Sequence, residues 1–252
     1  MSPHAFVPLG AAFVAGAMNS VAGGGSFLSF PSLVFAGVAP ISANATNNAA
    51  MWVGQIGSAH GYREEVKAHR SIFVAAVAVS VVGALIGAIL LLMTPAKLFE
   101  RLIPWLLLFA TLIFASSPLL KRGSSARTPS HAPWQIVVQF FVAIYGGYFG
   151  AGMGIVMLAV LSFSGLPNFN AQNAIKNVLS VAINGVALIP FIVARIVDWR
   201  FAIPMAAIAL AGGYLGARFF RRLPQAVART VVIVIGACMT IVFFAVPGLL
   251  VK

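Results

Sequence analysis

Four stretches of this chain, residues 71–93, 102–120, 201–219 and 231–250, stay apolar for nearly the thickness of a lipid bilayer. A helix needs roughly 17–25 such residues to cross the hydrocarbon core. A membrane β-barrel would instead show alternating segments of about ten residues. The predicted fold class is therefore an all-α polytopic membrane protein. Composition agrees: hydrophobic residues make up 61% and charged residues 8%, against about 25% charged in a soluble domain, and the mean hydropathy is +1.00. The formal charge of +12 is spread over short loops with no basic stripe, so no nucleic-acid partner is expected. Cys238 is alone, which excludes a disulfide framework and a thiolate metal site. His4, His60, His69 and His131 all lie near ends or loops with no carboxylate cluster, so neither a metal site nor a cofactor is expected. The first residues carry no basic region and are not read as a cleaved signal.

The first apolar stretch is cut by Gly23-Gly24-Gly25-Ser26, which predicts two short helical pieces, 6–21 and 27–35. Each is marginal as a full crossing. Pro40 and a polar run, 42–48, follow as a connection, and a helix then runs to about His60. Residues 61–70 read as a charged loop. Residues 121–133 are the one segment with linker character. They divide the chain into a first transmembrane repeat, 1–120, and a second, 134–252, each of about five helical elements.

The division rests on self-similarity. Gly23 stands 129 residues before Gly152, and the same offset pairs Gly25 with Gly154, Ala45 with Ala174, Asn48 with Asn177, Gly83 with Gly212, Gly87 with Gly216 and Pro95 with Pro224. Gln55 falls opposite Asn184, amide opposite amide. Loop charges give orientation. The face carrying 61–70, 121–133 and 218–229 holds 10 Lys and Arg, against 5 on the other, and the basic face is the cytoplasmic one. Equivalent loops of the two halves then lie on opposite sides, so the repeat is inverted. Inverted repeats with short, glycine-broken segments at matching places mark transporters, with the site near the midplane.

Lys176 is the one charged residue well inside an apolar span. Such a group costs a few kcal/mol or more and by default marks a site. Removing its charge is expected to leave the empty protein as stable or more so. Around it stand Asn173, Asn177, Ser180 and Asn184, and in the first half Thr46, Asn47, Asn48 and Gln55. Amides and a lysine donate hydrogen bonds to oxyanion atoms. Two roles are open: an anion site, or a lysine snorkelling to an interface about one turn into its helix, with asparagines capping helices. Gln55, Ser180 and Asn184 also suit interhelical hydrogen bonding. The glycine breaks, with Asn19, Gly24 and Gly25 in the first and Gly152 and Gly154 in the second, present helix N-termini that suit an anion. Close helix packing is their alternative use.

These residues resemble the sulfite exporter TauE/SafE family of membrane permeases. The resemblance runs over nearly the whole chain. It rests on Asn19-Ser20-Val21-Ala22-Gly23-Gly24-Gly25-Ser26, Ala45-Thr46-Asn47-Asn48-Ala49-Ala50, Lys176-Asn177, and Asp198-Trp199 leading to Gly212-Gly213-Tyr214-Leu215-Gly216-Ala217-Arg218. It implies movement of sulfite, small organosulfonates and related sulfur anions. The first-half motif in the family commonly reads Thr-Asn-Lys, and Asn48 stands here at the lysine place.

The function expected is a secondary transporter, an exporter of sulfite or a small organosulfonate across a bacterial-type inner membrane, with one half rocking against the other. An importer or carrier of another small anion, and a non-transporting assembly factor, are the alternatives. An enzyme is not expected, since the spans hold no nucleophile–base pair and no paired carboxylates. The partners expected are the small anion and membrane lipid. A homodimer is left open.

Overall fold

The computed structural model describes residues 6–21, 23–68, 70–121, 133–166, 168–219 and 225–245. Among these residues it is all-α, with eleven helices. The first half holds α1 (Val7–Val21), α2 (Ser26–Phe35), α3 (Pro40–Gly61), α4 (Arg63–Ala68), α5 (Arg70–Met93) and α6 (Ala96–Lys121). The second holds α7 (Pro133–Tyr148), α8 (Met153–Leu161), α9 (Phe169–Val193), α10 (Trp199–Phe219) and α11 (Gln225–Ala245). Most of the linker lies outside the described residues. Three stretches, Ala75–Met93, Phe169–Val193 and Trp199–Phe219, are long and apolar enough to cross a membrane. Two of them coincide with expected spans, and 102–120 lies inside α6.

Three local expectations change. The polar run 42–48 is not a connection, because α3 begins at Pro40 and contains it. Proline in the first turn loses no intrahelical bond and pre-sets φ, and the amides that follow are buried on a helix whose backbone is already satisfied. The charged segment after Tyr62 forms the short helix α4, with Glu64 and Glu65 in its first turn, where the helix dipole favours acids. Helix α9 starts at Phe169, earlier than a lysine one turn into its helix implies: Asn168 is its N-cap and accepts the Ala171 N–H at 2.8 Å.

At about 1.5 Å per residue, the 10 residues of α2 and the 9 of α8 span about 15 Å and about 14 Å. That is half of a hydrocarbon core of about 30 Å. Helix α8 runs back along α7: Met153 meets Gly146, and Met157 meets Gln139 two turns earlier in α7.

Glycine faces fix the long-helix pairing. Gly16 of α1 and Gly54 of α3 both press on Ala209 of α10, while Gly57 meets Leu210 and Gly61 meets Ala217. Gly83 and Gly87 of α5 press on Phe140 and Ile144 of α7, and Gly147 presses back on Ala84. Small residues let helix backbones approach this closely inside a membrane. The contacts advance together along both members, so α1, α3 and α10 run in one direction, and α5 and α7 share theirs. Helix α9 runs against α3: Ala174 packs with Tyr62 at one end, and Arg195 shares a groove with Ser42 at the other. Partners are exchanged between halves. Helix α1 packs on α10 as α7 packs on α5, and α3 on α10 as α9 on α5.

Candidate functional site

Both glycine breaks end at one cavity. After α1, Gly23 and Gly24 take left-handed backbone, φ 81° and 79°. The Asn19 carboxamide oxygen accepts the Gly25 N–H at 2.8 Å, holding the chain as it turns into α2. After α7, Gly150 and Gly152 do the same, φ 74° and 78°. The breaks touch: a Cβ on Gly23 would stand 3.0 Å from the backbone of Gly154 and Ile155. Four helix ends line the cavity. Asn19 and Gly23 belong to the end of α1, Ser26 to the start of α2, Phe149 and Gly150 to the end of α7, and Met153 and Gly154 to the start of α8.

Lys176 is the eighth residue of α9, two turns in rather than one, and is 1% exposed. Its ammonium does not reach an interface. Nζ donates to the backbone carbonyl of Asn19 and, at 3.1 Å, to Oδ1 of Asn173. Its stem lies over Gly154, where an added Cβ would sit 3.3 Å from Cδ. Both partners are neutral, a backbone carbonyl and a carboxamide.

Asn48, Asn184 and Gln55 form a chain across α3 and α9. Asn48 Nδ2 donates to Asn184 Oδ1 at 3.1 Å, and Asn184 Nδ2 donates to Gln55 Oε1 at 2.8 Å. Gln55 and Asn184 are the amides that the 129-residue offset sets opposite one another, and they meet. Trp52 Nε1 likewise donates to the Val181 carbonyl, 129 residues on, at 3.0 Å. Ser29 of α2 donates to Asn47 Oδ1 at 2.5 Å. Asn177 stands apart: it is fully buried, and neither its Nδ2 nor its Oδ1 has a partner, nor does Oδ1 of Asn48. Unsatisfied buried polar atoms are rare in folded proteins.

Of the sequence candidates, Asn19, Gly24, Asn47, Asn48, Gln55, Gly152, Gly154, Lys176, Asn177 and Asn184 line the cavity. Three do not. Asn173 sits behind Lys176 as its acceptor. Gly25 is pressed against the α1 backbone at Ala15. Thr46 turns away, and its hydroxyl accepts the Asp198 N–H at 2.9 Å. Hydrogen bonds from Arg200 to that aspartate hold its carboxyl below the usual carboxylate range. Ser26, Met51, Phe149, Gly150 and Met153 also line the cavity without having been singled out as site residues. Proximity to the breaks was the signal for Ser26, Phe149, Gly150 and Met153, and Met51 carried none. The cavity measures about 20 Å³, room for a single water.

Half-helices meeting at a buried cation, inside a sheath of apolar helices, are the architecture of a membrane transporter. The sulfite exporter TauE/SafE family model matches residues 9–243, and the chain belongs to that family. It is similar to the probable membrane transporter protein YfcA of Escherichia coli K12, 29% identical over 91% of this chain and 85% of the relative. It is also similar to a probable membrane transporter protein of Haemophilus influenzae, 27% identical over 90% of this chain and 89% of the relative. A third relative, the probable membrane transporter protein ORF9 of a Sinorhizobium species, is 23% identical over 94% of this chain and 91% of its own length. No solved structure matches significantly.

The two kinds of amide separate by mutation. Asn177→Leu removes two unpaired buried polar atoms, so the ligand-free protein is expected to gain about 1 kcal/mol in stability while losing anion affinity. Asn184→Leu breaks two bonds of the amide chain and strands Asn48 and Gln55, so it is expected to lose about 1–3 kcal/mol. Thermal unfolding in detergent, with and without sulfite, reads both. A loss of stability in Asn177→Leu would show that its amide is structural.

Proposed function

We propose that this chain is a secondary transporter that carries sulfite or a small organosulfonate out of the cell, through a bacterial inner membrane that it crosses many times. Access alternates around the cavity between the glycine breaks. The observation that carries the reading is Lys176, a buried cation beside an unpartnered Asn177, with no carboxylate lining the same cavity. A bound anion supplies the missing charge and the missing hydrogen bonds. The family description and the relatives' names favour transport and, through the former, sulfite.

Residues 1–120 and 134–252 are read as inverted repeats. The opposed directions of α3 and α9, the exchanged helix partners, and the self-paired positions Gln55–Asn184 and Trp52–Val181 support this. The bodies that rock are then not the chain halves. One is α1, α2, α3 and α10, and the other is α7, α8, α9 and α5, each completed by a helix from the opposite half. The cavity lies between them. It is far too small for sulfite as it stands, so each turnover has to part the two breaks. The inside-negative potential favours export by about 2.3 kcal/mol per charge per 100 mV, so outward movement needs no coupling ion.

Purified protein in sealed liposomes loaded with sulfite tests this. Efflux is expected above protein-free liposomes, accelerated by a potential negative inside. Absence of flux for sulfite and for small sulfonates would end the proposal.

A further inference from the structure

We propose that the cavity selects singly charged anions over doubly charged ones. The inference rests on the anion-site reading above and sharpens it to a charge class.

Among the described residues, Lys176 is the one titratable side chain that lines the cavity. The helix ends add no net charge. An N-terminus carries roughly +0.5 and a C-terminus roughly −0.5 of an elementary charge. Each break delivers one of each: the end of α1 beside the start of α2, and the end of α7 beside the start of α8. The Lys176 ammonium already bonds the Asn19 carbonyl in the last turn of α1, which further quiets that negative end. The remaining groups are amides, hydroxyls, glycines and apolar side chains. The site's net charge is therefore that of one lysine.

A site of charge +1 treats one and two negative charges unequally. Attraction to the lysine grows in proportion to the ligand's charge, while the Born cost of stripping its water grows with the square. A second charge doubles the gain and quadruples the loss, which in a dry cavity decides against it. The unpartnered carboxamide oxygen of Asn48, whose Nδ2 is already engaged by Asn184, acts in the same sense. It opposes additional negative charge and welcomes a donor, such as the O–H of hydrogen sulfite or the ammonium of an aminosulfonate. Asn48 is where a second cation would stand: it lines the same cavity and reaches Asn184 of α9.

The test compares anions of fixed charge. Methanesulfonate, a monoanion, and sulfate, a dianion, are titrated by calorimetry into the wild-type protein in detergent. Methanesulfonate is expected to bind at least about tenfold tighter. Asn48→Lys is expected to shift that ratio toward sulfate by about tenfold or more. A second measurement needs no variant. Hydrogen sulfite loses its proton near neutrality, so affinity for total sulfite is expected to fall as pH rises through that step. Methanesulfonate, measured at each pH, carries any change in the protein itself and is divided out. Equal wild-type affinity for sulfate and methanesulfonate, or a sulfite affinity that tracks methanesulfonate at every pH, would overturn the charge rule and leave the anion site standing. Binding of none of the three would overturn the anion site and the rule with it.

Discussion

Lys176→Met is expected to weaken sulfite binding by about 1.5–3 kcal/mol, the range for hydrogen bonds to a charged group. Methionine keeps much of the stem that lies over Gly154 and removes only the charged end. The structure reverses the stability expected from sequence alone. Burying a lone charge suggests that its removal helps. Here the ammonium satisfies the Asn19 carbonyl and Asn173 Oδ1, and the variant leaves both buried and unpaired. Each orphaned acceptor costs about 1–3 kcal/mol, so the empty protein is expected to lose stability. Lys176→Arg is expected to bind poorly too, because a planar fork needs width where the stem has Gly154 against it. Titrating sulfite in detergent, with parallel thermal unfolding, checks both halves. Undiminished affinity in Lys176→Met would remove the lysine from the site.

Gly23→Ala is expected to abolish sulfite flux. Two effects combine there. A left-handed φ of 81° costs a residue with a Cβ about 1–2 kcal/mol. The methyl would also stand 3.0 Å from the backbone of Gly154 and Ile155, forcing apart the two breaks that close on the cavity. Gly37→Ala separates the effects. Its φ is 89°, yet nothing lies within 4 Å of an added Cβ, so it carries the strain without the collision. It is expected to lower stability by about 1–2 kcal/mol with flux intact. Equal flux loss in both would assign the defect to general destabilisation rather than to the meeting of the breaks.

What the sequence disclosed, and what it withheld, follows the range of the interactions. The breaks at 23–25 and 150–154 were legible because the glycine runs recur in both halves at one offset. Gln55 and Asn184 were legible as a pair because one offset connects them, and they do bond. The start of α3 was misread because proline and a polar run suggest a loop, while tertiary burial of the amides decides for helix. One of the two partners of Lys176 is a backbone carbonyl 157 residues away, and every residue has a carbonyl, so no side chain announces it. The same holds for Thr46, whose partner is the N–H of Asp198.

The exchange of helix partners between the halves also bears on how the chain is made. When the first half has left the ribosome, the glycine faces of α3 and α5 are exposed to lipid with nothing to press on them. The face of α5 is covered only when α7 arrives, and those of α1 and α3 only when α10 does. Tertiary assembly therefore outlasts synthesis of the first half: α1, α2 and α3 pack on one another within it, and late synthesis of α10 completes a body begun at α1.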